Sequence, residues 1–511
     1  MRFAARTKRD FYADGLAAAG EGQHLDAIAH FQRALQKNPG DSRALLALGN
    51  IAMAVGHAAV AENSFLRALE QEPDQRDVRV NYANLLRSQG RTDEAIALIK
   101  PALERNPKDI ELWLTQGATT RQAGDRKMAE IFYSEALRLS PGHAMALRNL
   151  GELLLERGAR DEVRALCEEV LAREPEHPQA RFNRAILFLL KGNLDQGWHD
   201  YEYRLHIKEQ AIVADHGLTQ WNGTRKEGLR LLVTTEQGIA EQMMFASLIP
   251  ELAALLARNA CRVILEAESR LVPLFARSFP GVCVRPAALQ SQDGQLFAHY
   301  DWLKSCGGAD AAIAIGSLAH RMRQALSDFP GRPSYLIADA SEKAAWLEWL
   351  RAQGEGPFAG LCWRSGKAAG TRSPHHAPLE VWANFIRDLP ATPVSLQQDA
   401  SAEEIATLER LSGRSILVPP NLDQTSEIDR TAALIAALDA VVSAPTSVSW
   451  IAAGLGVPTV KILSHPSWTT FGCDYEPFAP AARSIMRTQT GDWADAFGMA
   501  REALGSILPA V

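Results

Sequence analysis

The stretch IELWLTQGATTRQAGDRKMAEIFYSEALRLSP, residues 110–141, decides the architecture of the first part of this chain. It sets a small residue, Gly117, twelve positions before Ala129, then Tyr133 four further on, then Ala136, and closes on Pro141. The same slots recur every 34 residues in both directions: Pro39, Pro73, Pro107, Pro141 and Pro175 mark the ends, and Gly15, Gly49, Ala83, Gly117 and Gly151 hold the small position. Ala27, Ala61, Ala95 and Ala129 precede Phe31, Phe65, Ile99 and Tyr133, with Cys167 one period later, and Ala34, Ala68, Ala102 and Ala136 complete the set. Small against bulky suits two helices that touch closely at one point and are wedged apart at another. A fixed period sustained over five units predicts an array of helical hairpins, and a sixth, atypical unit follows from about Pro178 to Arg204.

The slots resemble those of the tetratricopeptide repeat. One such hairpin cannot bury its apolar stripe alone, so the units are expected to stack into an all-α superhelix whose concave face grips another protein. Asn81, Asn149 and Asn183 share one repeat position, with Thr115 at that position in a repeat between. An amide both donates to and accepts from the backbone of an extended peptide. The row resembles the asparagine ladder of the O-GlcNAc transferases and makes the three residues candidates for acceptor binding; polar side chains that simply face water are the competing reading.

A chain of 511 residues is too long for one core, and about 210 in repeats leave enough for two further domains. The net charge of -6, without a basic cluster, gives no footprint for nucleic acid. Residues 1–10 carry charge with no apolar run behind them, and the most apolar later stretch is interrupted by Asp439, so no membrane insertion and a cytoplasmic location are expected. The six cysteines lack C-x-x-C spacing and sit mostly in apolar runs, which fits reduced thiols better than disulfides or zinc.

The repeat pattern fades after residue 210, and a polar linker over 211–228 leads into short β-rich runs alternating with helical ones. Strands are expected at 229–234, 262–266 and 311–315, with a crossover helix over 241–257; a second series places strands at 358–363, 393–397, 415–418, 440–444 and 459–463. Such alternation predicts parallel sheets of βαβ units in two Rossmann-like lobes, 229–335 and 336–511, with a cleft where loops leave the carboxyl ends of the strands.

Four segments carry the chemistry: Glu236-Gln237-Gly238-Ile239-Ala240-Glu241, Trp363-Arg364-Ser365-Gly366-Lys367, Val394-Ser395-Leu396-Gln397, and Ser443-Ala444-Pro445-Thr446-Ser447. In this order they resemble the catalytic half of bacterial tetratricopeptide-repeat glycosyltransferases, which share the α/β GT-B fold with heptosyltransferases and, more distantly, O-GlcNAc transferases. The resemblance implies a nucleotide-sugar donor. Its phosphate would meet the helix terminus at Thr446 and Ser447, with Arg364 and Lys367 neutralising the leaving group; an ordinary N-cap and two solvated cations are the bland alternative. Ser395 and Gln397 would face the nucleotide base. Glu241 aligns with the family's catalytic aspartate and would take the proton from an acceptor hydroxyl, with Glu236 in reserve, while a first-turn acid stabilising a helix dipole competes.

Departures from the family pattern are Ala240 in place of a glycine, Trp450 where histidine is common, and no acidic residue in the Ser443–Ser447 segment. Arg372, His375 and His376 lie in a glycine- and proline-bounded loop over the cleft, Trp468 and Phe471 read as packing residues, and Asp492 and Asp495 as caps of the last helix. No Asp-x-Asp follows residue 228, so metal-independent chemistry without a cofactor is expected. The resemblance points most closely to flagellin glycosyltransferases, with a CMP-activated nonulosonic acid such as pseudaminic or legionaminic acid as donor and flagellin as acceptor. A non-catalytic scaffold with a degenerate transferase half, and a transferase acting on polysaccharide or lipid, are the alternatives. Repeat arrays of this type also allow a homodimer.

Overall fold

The computed structural model describes residues 10–207, 211–292, 295–365, 376–487 and 493–508. The chain forms two compact units, one built on the helices up to Leu153 and the other on the helices from Leu154 with nearly all of the α/β region.

In the first unit four hairpins pair Phe11–Gly20 with His24–Lys37, Ser42–Ala54 with Ala58–Gln71, Arg76–Ser88 with Thr92–Arg105, and Ile110–Gln122 with Arg126–Leu139. The small slot is sterically obligatory: a Cβ added at Gly15, Gly49 or Gly117 would lie 2.6, 2.4 or 2.6 Å from the ring of Phe31, Phe65 or Tyr133. Where the slot is Ala83, its counterpart 16 residues on is the narrower Ile99. The period also shows in a slot that the sequence reading did not use, because the hairpin turns at Gly22, Gly56, Gly90 and Gly124 each take a left-handed φ that favours glycine. The repeat prolines each fall two residues past the second helix, where the chain is already extended.

The second unit continues with the helices Arg160–Arg173, Pro178–Leu190 and Leu194–Tyr201 and a 3-10 turn, Glu202–His206. The strands that follow are β1 (Val213–Ala214), β2 (Thr219–Gln220), β3 (Arg230–Thr234), β4 (Arg262–Ala267), β5 (Cys283–Pro286), β6 (Leu289–Gln292), β7 (Gln295–Ala298), β8 (Ala311–Ala314), β9 (Phe358–Cys362), β10 (Thr392–Ser395), β11 (Ala440–Ser443), β12 (Thr459–Leu463) and β13 (Ala482–Met486). Two five-stranded sheets result, in the orders β2-β8-β3-β4-β5 and β10-β9-β11-β12-β13, with every pairing parallel. Their central strands are buried on both faces, as crossover helices on either side require.

Three features differ from expectation. The crossover helix is two helices, Ile239–Ala246 and Ile249–Ala257, bent by 44°, because Pro250 has no N–H to continue the first ladder. The run at 415–418 makes only a single bridge, Leu417 to Val394. The edge strands β2, β5 and β13 are too short or too polar to have announced themselves. Among the described residues no single helix is long and apolar enough to cross a membrane.

The sixth hairpin packs into the α/β core. Trp198, fully buried, meets Trp468 and Phe471 edge-on at ring separations of 6.1 and 5.7 Å, and its indole N–H donates to the Arg323 carbonyl at 2.6 Å. Trp468 and Phe471 are therefore packing residues, as the sequence suggested.

Candidate functional site

The two lobes bring together the helices that begin at their strand-end turns, Ile239–Ala246 from the first and Ser447–Gly454 from the second, which pack against each other. Tyr335, in the connection between the lobes, fixes both: its hydroxyl donates to the Met243 carbonyl at 2.8 Å and its backbone N–H to the Gly454 carbonyl at 2.8 Å. A side chain at Gly454 would strike Leu336 and Tyr335 at 2.7 and 2.9 Å, so the glycine permits the close approach.

In the first lobe β3 runs into Thr235 and Glu236. Both Glu236 oxygens are held by the Arg204 guanidinium, at 2.8 and 2.6 Å, and Oε1 also accepts the Gly316 N–H at 2.7 Å. Arg204 in turn donates to Ser317 and to the Tyr201 carbonyl. This pair is buried, with Arg204 3% and Glu236 6% exposed, so Glu236, the reserve base, is a structural carboxylate. The left-handed residue of the turn is Gln237, φ 57, whereas Gly238 has φ −86 and Ala240 is already helical, so the exchange of glycine for alanine at 240 costs the turn nothing. Glu241 occupies the first helical turn, its carboxylate folded back to 3.0 Å from where a Gly238 Cβ would be. It is half-buried and has no ion pair among the described residues.

Beside this turn lies a cavity of about 210 Å³, lined among others by Thr234, Thr235, Gln237, Gln220 and His216. The His216 Nδ1 accepts the Leu218 N–H at 3.1 Å, which leaves its proton on Nε2. Sequence reasoning passed over Glu266, at the end of β4. It is 1% exposed, accepts the Thr235 N–H at 3.0 Å and has no cation beside it, and burial pushes its carboxyl up to about 7. Its only sequence signal is a carboxylate closing an apolar strand.

In the second lobe the ends of β9, β10 and β11 converge. Thr446 is the N-cap of the helix Ser447–Gly454 but makes no side-chain cap bond; its hydroxyl instead lies 3.1 Å from Ser443 Oγ and 3.5 Å from Cys362 Sγ. Ser447 begins the helix, half-buried beside it. Gln397 is buried, accepts the Arg364 N–H at 2.9 Å, and donates to the Gln398 carbonyl; Ser395 beneath it accepts the Gln397 N–H. Arg364 departs from expectation. Its guanidinium grips Glu404 through two bonds of 2.7 Å and Asp399 at 2.9 Å, so it is not a free counter-charge. Glu404 is fixed by a capping box with Ser401, and the Arg364 hydrogen bond holds its carboxyl below the usual range. Lys367, Arg372, His375 and Asp492 lie outside the described residues. His376 accepts the Ser365 N–H at 3.4 Å, Asp495 lies in the first turn of the last helix, and Trp450 packs its ring 4.5 Å from the Lys461 ammonium.

The asparagines of the repeats differ in setting. Asn81 donates to Asn50 on the neighbouring helix at 2.8 Å, Asn149 is half-buried, and Asn183 is buried and accepts from Gln179. Burial takes Asn183 out of the expected ladder.

Residues 28–144 match the cytochrome c-type biogenesis protein H TPR domain, and residues 163–205 match the tetratricopeptide repeat. Protein FlbA of Caulobacter vibrioides is 30% identical over 315 residues, which cover 61% of this chain and 52% of FlbA, so the chain spans about half the length of that curated relative. Among solved structures, TTC0263, a TPR protein of Thermus thermophilus, is 25% identical with a TM-score of 0.29, covering 35% of this chain and 97% of its own. YrrB, a TPR protein with an unusual peptide-binding site, is 19% identical with a TM-score of 0.28, covering 33% and 88%.

Proposed function

We propose that this chain is a metal-independent glycosyltransferase of the two-lobed GT-B type. The repeats hold a polypeptide, a Ser or Thr hydroxyl enters between the lobes, and a sugar passes to it from a nucleotide-activated donor. The observation that carries the reading is the packing together of two strand-end helices, one from each parallel-sheet lobe, with Glu241 in the first turn of one and Thr446–Ser447 opening the other. An anion is favoured at such a helix terminus, and ligands of open parallel sheets bind at the carboxyl ends of the strands.

In the proposed reaction Glu241 takes the hydroxyl proton, the oxygen displaces the nucleotide phosphate at the sugar carbon, and the departing charge is met by the Ser447 helix terminus and Lys367. Arg364, bound to Glu404 and Asp399, acts by positioning the loop that leaves β9. The acceptor we favour is flagellin and the donor a CMP-nonulosonic acid, in the cytoplasm; both rest on the pairing of repeats with this half of the chain. The locked state of Arg364 favours one second reading, a scaffold whose transferase half no longer turns over.

Calorimetry with UDP, GDP, ADP and CMP and their sugar forms tests the proposal. The expected result is saturable binding of one nucleotide, weakened at least about tenfold in Lys367→Ala. Silence across the panel would leave the scaffold.

A further inference from the structure

Cys283 opens the edge strand β5, and Cys306 closes the 3-10 turn Asp301–Cys306 that precedes β8. They are 23 residues apart in sequence, yet their sulfurs lie 3.7 Å apart, with the Cys283 thiol directed at Cys306 Sγ. Side chains two apart on a strand share a face, and Arg285, two residues beyond Cys283, donates from Nε to Cys306 Sγ at 3.1 Å. Both thiols are partly exposed.

The chemistry of the two sulfurs differs. Burial opposes ionisation of Cys306, but the hydrogen bonds from Arg285 and Cys283 outweigh it and hold that thiol below its usual value. Burial raises Cys283, and its hydrogen bond to Cys306 adds to the rise. One partner is thus prepared as nucleophile and the other as the thiol that follows it. By contrast, burial raises Cys167 and Cys362, both of which are shut away from solvent.

The pair stands at the mouth of a cavity of about 360 Å³, also lined by Arg230, Arg262, Gly281 and Val282. Arg230 is paired with Asp310, whereas Arg262 is exposed and has no ion pair among the described residues. The cavity is therefore cationic at Arg262, with Arg285 beside Cys306 adding to the charge, and it suits an anionic molecule. Gly307 and Gly308, both left-handed, follow Cys306 directly, and closing the bond requires the sulfurs to approach from 3.7 Å to about 2 Å.

We propose that Cys283 and Cys306 are a dithiol site that exchanges with an anionic low-molecular-weight disulfide of the glutathione type and closes into an intramolecular disulfide. The Cys306 thiolate attacks one sulfur of the external disulfide, forming a mixed disulfide and releasing one small thiolate. Cys283 then gives up its proton to that thiolate or to water and attacks Cys306 Sγ, which expels the second small thiol. One protein disulfide forms, one external disulfide is reduced to two thiols, and no other oxidant is needed. The product ties β5 to the turn before β8 across the edge of the first sheet.

The full chain is incubated with oxidised glutathione near pH 7, alkylated, and read by intact mass and peptide mapping. The expected wild-type product has lost two alkylatable thiols and about 2 Da, carries a Cys283–Cys306 cross-link, and reverts with dithiothreitol. Cys283→Ser is expected to stop at one glutathione adduct on Cys306. Arg285→Met is expected to slow closure about threefold to tenfold near pH 7 and much less near pH 9, where the thiolate forms unaided. A wild-type adduct that persists without closing, adducts spread equally over Cys261 and Cys473, or no reaction at all overturns the site.

Discussion

The two lobes place the same chemical pair at matching strand ends and treat it in opposite ways. After β3, Glu236 meets Arg204 in a buried site at the wall of the cavity, with the arginine side chain 2% exposed. After β9, Arg364 meets Glu404 in a half-buried setting, with side chains 18% and 21% exposed and Asp399 beside them at 47%. The first pair welds the sixth hairpin to the sheet and its orientation is fixed by Gly316 and Ser317. The second is partly open to solvent, which screens it. A fully buried ion pair acts as a joint, and a half-buried one of similar geometry acts as a support.

The strongest test breaks the buried pair on one side. Arg204→Met leaves the Glu236 carboxylate uncompensated, and we expect a loss of about 3–5 kcal/mol in denaturant unfolding followed by tryptophan fluorescence. The double variant Arg204→Met/Glu236→Leu is expected to recover much of that loss, because a well-packed apolar replacement leaves no stranded charge. A single variant within about 1 kcal/mol of wild type would show that water reaches the site and that the contrast between lobes is one of degree.

Glu266 sharpens the comparison, being a carboxylate as buried as Glu236 but without its arginine. Its folded value near 7 lies above that of an unfolded carboxyl. The native state therefore binds more protons than the unfolded state between about pH 4.5 and 7, and stability falls as pH rises through that window. Glu266→Gln keeps an acceptor for the Thr235 N–H and removes the ionisation. We expect it to gain on the order of 1–3 kcal/mol over wild type at pH 8 and to match it near pH 5, in melts run across that range. A gain that did not vary with pH would mean the carboxyl is not what titrates.

The repeats offer a tight contact with no ions in it. Gly49→Ala drives a methyl into the Phe65 ring, and a loss of about 1–3 kcal/mol is expected from the helical melt. Adding Phe65→Ile should restore part of it, since Ala83 and Ile99 fill the same two slots of the next repeat. No rescue would mean that the ring is held by more than its own hairpin.

These regions also differed in how far the sequence disclosed them. The hairpins were legible residue by residue because the array restates one packing constraint in repeat after repeat, and the glycines of the hairpin turns had the same period waiting to be counted. The parallel sheets were legible as alternating runs, but not the bend at Pro250 or the edge strands, which have too few residues to show a pattern. At the candidate site, Thr446, Ser447 and Gln397 do fall where three strand ends converge. What sequence could not supply was pairing over distance: Arg204 with Glu236, 32 residues away, and Arg364 with Glu404, 40 residues away. Only the second left a trace, the Ser401-x-x-Glu404 capping signature, which fixes where the glutamate must stand.

The smallest effect is the one that bears most on the cleft. Glu404→Gln keeps an acceptor for Arg364 and for the Ser401 N–H but removes the charge. A pair that solvent partly reaches contributes less than a fully buried one, and Asp399 remains, so a loss of about 1 kcal/mol is expected, smaller in high salt. The informative comparison is with the same exchange at Glu236, which should cost several times more. If the two losses were equal, the Arg364 pair would be a second joint, and its guanidinium could not turn toward a phosphate. If Glu404→Gln were silent in stability yet tightened nucleotide binding in the calorimeter, Arg364 would be a cation held in reserve by its glutamate, and the support after β9 would be part of the donor site.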